Sequence, residues 1–254
     1  MKKTIAIIGN GNMGQAIAQG LLCKKIVTKS QLILTNSQTN NNKDTASRAD
    51  IIILAIKPQV MSSVLEEIKQ SITDQLIISI AAGITIQSIQ QTLNKKCAII
   101  RVMPNLAAKV GQSMSAWIKN KYVSTTQQLF VKKILQTIGQ DLQLQNEDQI
   151  NIATAISGSG PAYYFYLTEI LEKEAIEFGF SQEEAGLLAK KTLIGAAYLL
   201  EKSEKSTRAL QQSVTSKGGT TEAALKEFKK AKVEKGIIRG IRAAYARAKR
   251  LGLH

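Results

Sequence analysis

The residues best placed for chemistry open the chain: Gly9, Gly11 and Gly14 stand in a G-x-G-x-x-G spacing within GNGNMG. An apolar run, TIAII, precedes them, and a helical pattern, NMGQAIAQGLL, follows. The first glycine permits a tight turn. The second lets a pyrophosphate approach the backbone, and the third lets helix and strand pack closely. Unpaired N–H groups at the helix start, with the helix dipole, then attract phosphate. In this strand–turn–helix context the motif predicts a dinucleotide site. An acid normally follows the second strand to bind the ribose diol of NAD. Here the residues are Thr35, Asn36 and Ser37, and the first acid of the chain is Asp44. Hydroxyl and amide groups accept a 2′-phosphate without repulsion, with Lys43 nearby in sequence, so NADPH is expected over NADH.

Acid–base residues are sparse. The sole histidine is His254, the last residue, which argues against a histidine general acid. Tyr198 with Lys202, and Tyr245 with Lys249, have Tyr-x-x-x-Lys spacing, but both pairs lie in helical patterns and read as helix-face neighbours. No His, Cys or acid cluster has metal-ligand spacing. A dinucleotide enzyme without a strong acid or base suits a substrate that is already easily protonated, such as a cyclic imine. Two polar glycine-rich stretches, ISGSGPAYYF and VTSKGGTTEAAL, each end one helix and begin another. Their backbone N–H groups and hydroxyls can receive an anion such as a substrate carboxylate.

These residues need a scaffold. Up to about Gln145, apolar β-rich runs (TIAIIG, LILT, DIIILAI, LIISIA, CAIIRV) alternate with helical segments. That alternation predicts a doubly wound, mostly parallel α/β sheet. After about Glu147 only helical patterns remain. Pro161 suits a first helical turn, Ser181 and Glu184 form a capping box, and Gly179 and Gly252 suit helix ends. KKTLIGAAYLL is apolar on more than one stripe, as expected for burial against a second subunit. The boundary is placed between 146 and 147. The formal charge is +15, but basic residues lie on helical faces without interleaved aromatics, so nucleic-acid binding is not expected. No apolar run suits a membrane span or a cleaved leader, and Cys23 and Cys97 read as reduced, packed thiols of a cytoplasmic protein.

The motifs IGNGNMGQAIAQGLL, AIKPQ, SIAAG, RVMPN, SGSGPAY and TSKGGTT, in this order, resemble the pyrroline-5-carboxylate reductase family from Thr4 to about Leu251. The resemblance implies NAD(P)H-dependent reduction of 1-pyrroline-5-carboxylate to L-proline, the last step of proline synthesis. It also implies a Rossmann-like domain (1–146) and an all-α substrate-binding and dimerisation domain (147–254). Homodimers of interlocking helices, often built into larger rings, carry the active site between domains and subunits. By the resemblance, Ile8, Gly9, Asn10, Gly11, Asn12 and Met13 hold the pyrophosphate, while Asn36, Ser37 and Asn42 face the adenosine part. Ala55, Ile56, Lys57 and Pro58, with Ile80, Ala81 and Ala82, run under the nicotinamide. Ser157, Gly158, Ser159 and Gly160, together with Gly218, Gly219, Thr220 and Thr221, resemble the substrate loops, and Glu147 and Glu204 match positions near the substrate. Thr221 is the hydroxyl expected near the ring nitrogen.

The chain departs from the family's pattern in three places. Leu106 and Ala107 stand where Thr-Pro is usual, and Lys217 stands where Pro is usual. Between LILT and Asn42 the usual helix and edge strand are missing. The Asn-rich run within LTNSQTNNNKDT is expected to be a mobile polar loop over a shortened sheet edge, with an intact nicotinamide end and weaker cofactor binding. Rival readings are a related two-domain imine or hydroxy-acid reductase and a non-catalytic NADP-sensing dimer. A lysine in the first helical segment of the second half would favour the hydroxy-acid reductase, and PAYYFYLTEI has none.

Overall fold

The computed structural model describes residues 3–35 and 41–251. Its chain divides into two compact units, 1–159 with 244–254, and 160–243.

The first unit is a seven-stranded sheet in the order β2-β1-β3-β4-β5-β6-β7. Its strands are β1 (Ile5–Ile8), β2 (Leu32–Thr35), β3 (Ile51–Leu54), β4 (Leu76–Ser79), β5 (Ile99–Met103), β6 (Ser113–Lys119) and β7 (Gly139–Gln143). Pairing is parallel throughout except for β5 with β6. Helices α1 (Asn12–Cys23), α2 (Asn42–Ser47), α3 (Met61–Ile68), α4 (Ile86–Leu93), α5 (Thr125–Leu135) and α6 (Glu147–Ala153) cover it. Alternate strand residues feed two cores, as a period of two requires. Ile5, Ile7, Ile51 and Ile53 pack with Ile17 and Leu21 of α1 and Ile134 of α5. Ala6, Ile8, Ile52 and Leu54 pack with Leu65 of α3, Ile89 of α4 and Ile150 of α6. Near-continuous apolarity in β1, β3 and β4 therefore reflects burial on both faces.

Three details correct the sequence reading. The polar stretch after β2 is not loop throughout: Asn42–Ser47 forms α2, because Asn41 caps it through Asp44 N–H and Ala46 anchors it in the core. The remainder of that stretch, 36–40, lies outside the described residues. Among the described residues no strand lies beyond β2, so the expected shortening of the edge holds. Strands β6 and β7 were not legible. SMSAWIK buries Ser113 and Ser115 alongside Trp117, and GQDLQ is a largely exposed polar edge. Cys97 is buried as expected, but Cys23, at the end of α1, is exposed. Burial pushes the Cys97 thiol upward, so it stays protonated and inert.

The second unit is helical: α7 (Gly160–Glu177), α8 (Gln182–Lys202), α9 (Thr207–Ser213), α10 (Thr220–Lys230) and most of α11 (Val233–Leu251). The Ser181–Glu184 capping box forms as expected, and Gly179 ends α7 with φ +98°. α7 and α8 pack together, yet their buried residues are small: Gly160, Ala185 and Ala189. Their large apolar side chains, Phe165, Tyr166, Leu167, Leu187 and Tyr198 among them, are exposed in the single chain. The final turns of α11, from Ala244, belong to the first unit.

Candidate active site

The glycines of the phosphate loop divide by what a side chain would meet. A Cβ on Gly9 would lie 2.3 Å from the Ala55 carbonyl, and one on Gly14 would lie 2.1 Å from the Gly9 carbonyl. Both glycines therefore allow close approach of β1, β3 and α1, and Gly9 also has φ +113°. Gly11 is different: its φ is ordinary, and a Cβ there would meet nothing within 4 Å. The open space above Gly11 is a cradle that a side chain would fill. Gly11 is the N-cap of α1, with no side-chain cap and no acid in the first turn. The first N–H groups of a helix have no intrahelical partner, so this end is built for an anion. Asn10 and Asn12 are exposed beside it, and Met13 packs on the core. These residues fit the pyrophosphate of a dinucleotide.

The neighbouring strand ends complete this crevice. β1 and β3 are adjacent where the strand order reverses, the place where open α/β sheets bind ligands. Ala55 N–H donates to the Ile8 carbonyl (2.8 Å), and Ile80 N–H to the Leu54 carbonyl (3.2 Å), so Ala55–Pro58 and Ile80–Ala82 leave adjacent strands side by side. Lys57 is exposed there. Gly83, just beyond, has φ +79°, and a Cβ on it would lie within 2.8 Å of Leu251 backbone and side-chain atoms. The end of α11 thus closes onto the second of these loops. Tyr245 secures it by donating to both Asp148 oxygens (2.7 and 2.9 Å), with Lys249 Nζ 3.8 Å from Asp148. That hydrogen bond, with burial and the Asp148 charge, raises the Tyr245 pKa. The Tyr245–Lys249 pair is a helix-face neighbour as expected, and it holds α11 to α6.

At the ribose end, Asn36 and Ser37 lie outside the described residues, as does His254. Thr35 is buried and its hydroxyl donates to Asn42 Oδ1 (3.4 Å). Asn42 donates from its backbone N–H and its Nδ2 to the two carboxylate oxygens of Glu67 on α3 (3.0 and 2.7 Å). Lys43 reaches Gln70 at 3.4 Å. Glu67 was invisible to a sequence reading because only the packing of α2 on α3 brings it to Asn42.

The first candidate substrate loop, Ser157–Gly160, spans the end of a π-helical turn (Thr154–Gly158) and the start of α7. A side chain on Gly160 would meet nothing within 4 Å. Glu147, at the start of α6, is fully engaged nearby in the chain. It forms an ion pair with Arg101 of β5 and accepts from Ile86 N–H at the start of α4 (2.8 Å). Arg101 is 2% exposed and also donates to Asn151 of α6 (3.3 Å). The pair therefore fixes α6, and with it the π-helical turn, to the sheet. Arg101 was missed because it lies in an apolar strand pattern with no nearby acid in sequence.

In the second unit, Gly219 caps α10, and Thr220 and Thr221 occupy its first turn, with Thr221 partly exposed. Gly218 has φ +75°, and its N–H donates to Glu222 (2.7 Å), which also pairs with Lys226 at 3.6 Å. The Gly218 hydrogen bond first, then the Lys226 charge, lowers the Glu222 pKa. Lys217 and Glu204 are exposed. Among the described residues no group of three His, Cys, Asp or Glu could hold a metal, and no helix is long and apolar enough to cross a membrane.

Comparison with known proteins extends this picture. Residues 147–251 match the family model described as pyrroline-5-carboxylate reductase dimerisation, and residues 4–83 match one described as NADP oxidoreductase, coenzyme F420-dependent. The chain is 36% identical to pyrroline-5-carboxylate reductase 2 of Bacillus subtilis, over 93% of this chain and 90% of that one. It is similar to the structure of a Coxiella burnetii pyrroline-5-carboxylate reductase, with TM-score 0.90 and 34% identity over 99% of each chain. The Plasmodium falciparum pyrroline carboxylate reductase with NADP bound gives TM-score 0.90 and 30% identity over 98% of each chain.

Proposed function

The chain belongs to the pyrroline-5-carboxylate reductase family, and on that premise we propose how its residues reduce 1-pyrroline-5-carboxylate to L-proline. The activity is an NAD(P)H-dependent oxidoreduction of a C=N bond, and the working unit is a homodimer. One observation carries the assignment of the cofactor site: Gly11 alone of the three motif glycines opens onto free space, at an uncapped helix start.

Ile8, Gly9, Asn10, Gly11, Asn12 and Met13 hold the pyrophosphate, and Asn42, with Asn36 and Ser37, the adenosine end. The loops Ala55–Pro58 and Ile80–Ala82 support the nicotinamide. When bound, the dinucleotide supplies the hydride. NADPH is the preferred form, supported by the absence of an acid directly after β2 in sequence. Ser157–Gly160 and Gly218–Thr221 bind the substrate carboxylate and ring through backbone N–H groups and hydroxyls. Positioning the protonated imine carbon at attack distance supplies most of the acceleration. Thr221 Oγ1, or an ordered water, holds the proton of the ring nitrogen. Glu147 acts at the substrate side by fixing α6, while Glu204 lies at the exposed turn before α9. The functional division at 146/147 is retained: residues 147–254 carry substrate and dimer contacts, although α6 packs in the sheet unit. Dimers assemble into a larger ring without nucleic-acid or membrane partners. A reducing cytoplasm suits the two free thiols.

The test follows NADPH oxidation by absorbance with pyrroline-5-carboxylate and with other cyclic imines. Turnover should be greatest with pyrroline-5-carboxylate, and Thr221→Ala should lower kcat roughly a hundredfold. NADPH binding without turnover of any imine would instead mark a sensing dimer. Unchanged kcat/KM in Thr221→Ala would remove its assigned role.

A further inference from the structure

Asn105 follows β5 and caps the 3-10 turn Leu106–Val110. Its Oδ1 accepts from the Ala107 N–H (3.2 Å), and its Nδ2 donates to the Ser157 carbonyl (3.0 Å). Because a backbone N–H can only donate and a carbonyl can only accept, this pair fixes which way the amide points. Asn105 is itself held, since its backbone N–H donates to the buried Ser113 hydroxyl at 3.0 Å. The π-helical turn is braced from the same strand end. A Cβ on Gly158 would lie 2.8 Å from Met103 Cε. Within the turn, Ser159 N–H donates to the Thr154 carbonyl (2.8 Å) and Ser157 Oγ to the Ala153 carbonyl (3.0 Å).

We infer that Asn105 is a positioning residue for substrate binding: its side-chain amide, oriented by the Ala107 N–H, clamps the Ser157 carbonyl and so sets the Ser157–Gly160 loop. An alanine at 107 supplies this orienting N–H, which a proline would lack. The carbonyl that Asn105 holds heads the peptide whose N–H belongs to Gly158. Rotating that carbonyl would therefore rotate the Gly158 N–H and redirect the loop relative to an incoming carboxylate. The hydrogen bonds of the clamp run to Ala107, Ser113 and Ser157 and to no residue of the phosphate loop, so its loss is expected to act on substrate more than on dinucleotide. This inference rests on the reading of Ser157–Gly160 as a substrate loop.

Asn105→Ser separates the roles. Serine is an N-cap equal to asparagine and adds no charge, but it is too short to join Ala107 to Ser157. Gly160→Ala probes the loop directly, because its Cβ meets no protein atom and alanine favours the helix. Calorimetric titration with L-proline and with NADPH, thermal unfolding, and KM and kcat for pyrroline-5-carboxylate are read on both variants. Asn105→Ser should weaken L-proline binding and raise the substrate KM about tenfold, roughly the worth of one hydrogen bond. The NADPH Kd should hold, and Tm should fall by no more than about 4 °C. If Gly160→Ala weakens L-proline binding but Asn105→Ser does not, the clamp is overturned and the loop assignment stands. If neither does, both fall. NADPH affinity falling in parallel with L-proline in Asn105→Ser would also overturn the clamp.

Discussion

Gly11 and Glu147 show how residues singled out by motif divide between open space and scaffold. At Gly11 the backbone is ordinary and the space beyond Cα is open, so alanine should leave Tm within a few degrees. On the proposed assignment, the same methyl would occupy the pyrophosphate's approach. Gly11→Ala is therefore expected to raise the NADPH Kd about tenfold or more, measured by titration, with the L-proline Kd unchanged. The equivalent change at Gly9 or Gly14 would collide with backbone carbonyls and unfold the loop, so only Gly11 reports binding alone. Glu147 illustrates the opposite case. Its carboxylate is committed to the buried Arg101 and to the Ile86 N–H, a scaffold task.

At the scale of elements, the helix caps were the most legible features and the sheet edges the least. Ser181 and Glu184 signal a capping box by spacing alone, and the structure forms it with Ser181 N–H and Oγ on Glu184 (2.9 and 2.7 Å). The Ser181 hydroxyl first, then its backbone N–H, lowers the Glu184 pKa. A carboxylate whose pKa is depressed by folding stabilises above its unfolded pKa and loses that contribution as pH falls through the folded value. Glu184→Ala should accordingly lower Tm at neutral pH, and the deficit should vanish in acid below the usual carboxylate range, read by thermal melts across pH. The edge beyond β2 works differently. α2 is only Asn42–Ser47, and its first residues are occupied by Asn41 and Glu67. On the proposed cofactor placement, the adenosine end lies at an edge where, among the described residues, no strand follows β2. The NADPH Kd should exceed that of a family member that carries the full helix and edge strand after its second strand, in side-by-side titration, while kcat is comparable. Equal affinity would show that the shortened edge is immaterial.

For the whole molecule, the decisive feature is where the apolar surface lies. The sheet unit buries the Ile, Leu and Val of its central strands on both faces. The helical unit leaves Phe165, Tyr166, Leu187 and Tyr198 between 57% and 66% exposed in one chain. Large clustered apolar exposure of this kind marks an interface, and the match to a dimerisation model over 147–251 identifies a second copy as its occupant. Leu187→Glu should convert the dimer to monomer in light scattering and depress activity at dilute concentration, leaving the sheet unit's dinucleotide affinity intact. A dimer that persists would place the interface elsewhere.

The sequence by itself determined the doubly wound sheet, the helical second half, the phosphate loop and the two glycine-rich loops. Each is written in local signals: strand apolarity, helical period, caps, and glycine spacing. Tertiary structure alone decided that Gly11 is the glycine facing open space, that Asn42 is held by Glu67, and that Arg101 meets Glu147. It also decided that Asn105 reaches Ser157 and that Leu251 closes onto Gly83. These pairs lie far apart in the chain, and no residue type at either end signals the other. Only the packing of α2 on α3, of α6 on β5, and of the α11 end on the β4 loop creates them. β6 and β7 escaped notice for a related reason. Their serines and edge glutamines read as polar loop until the sheet supplies the backbone partners that make them strands.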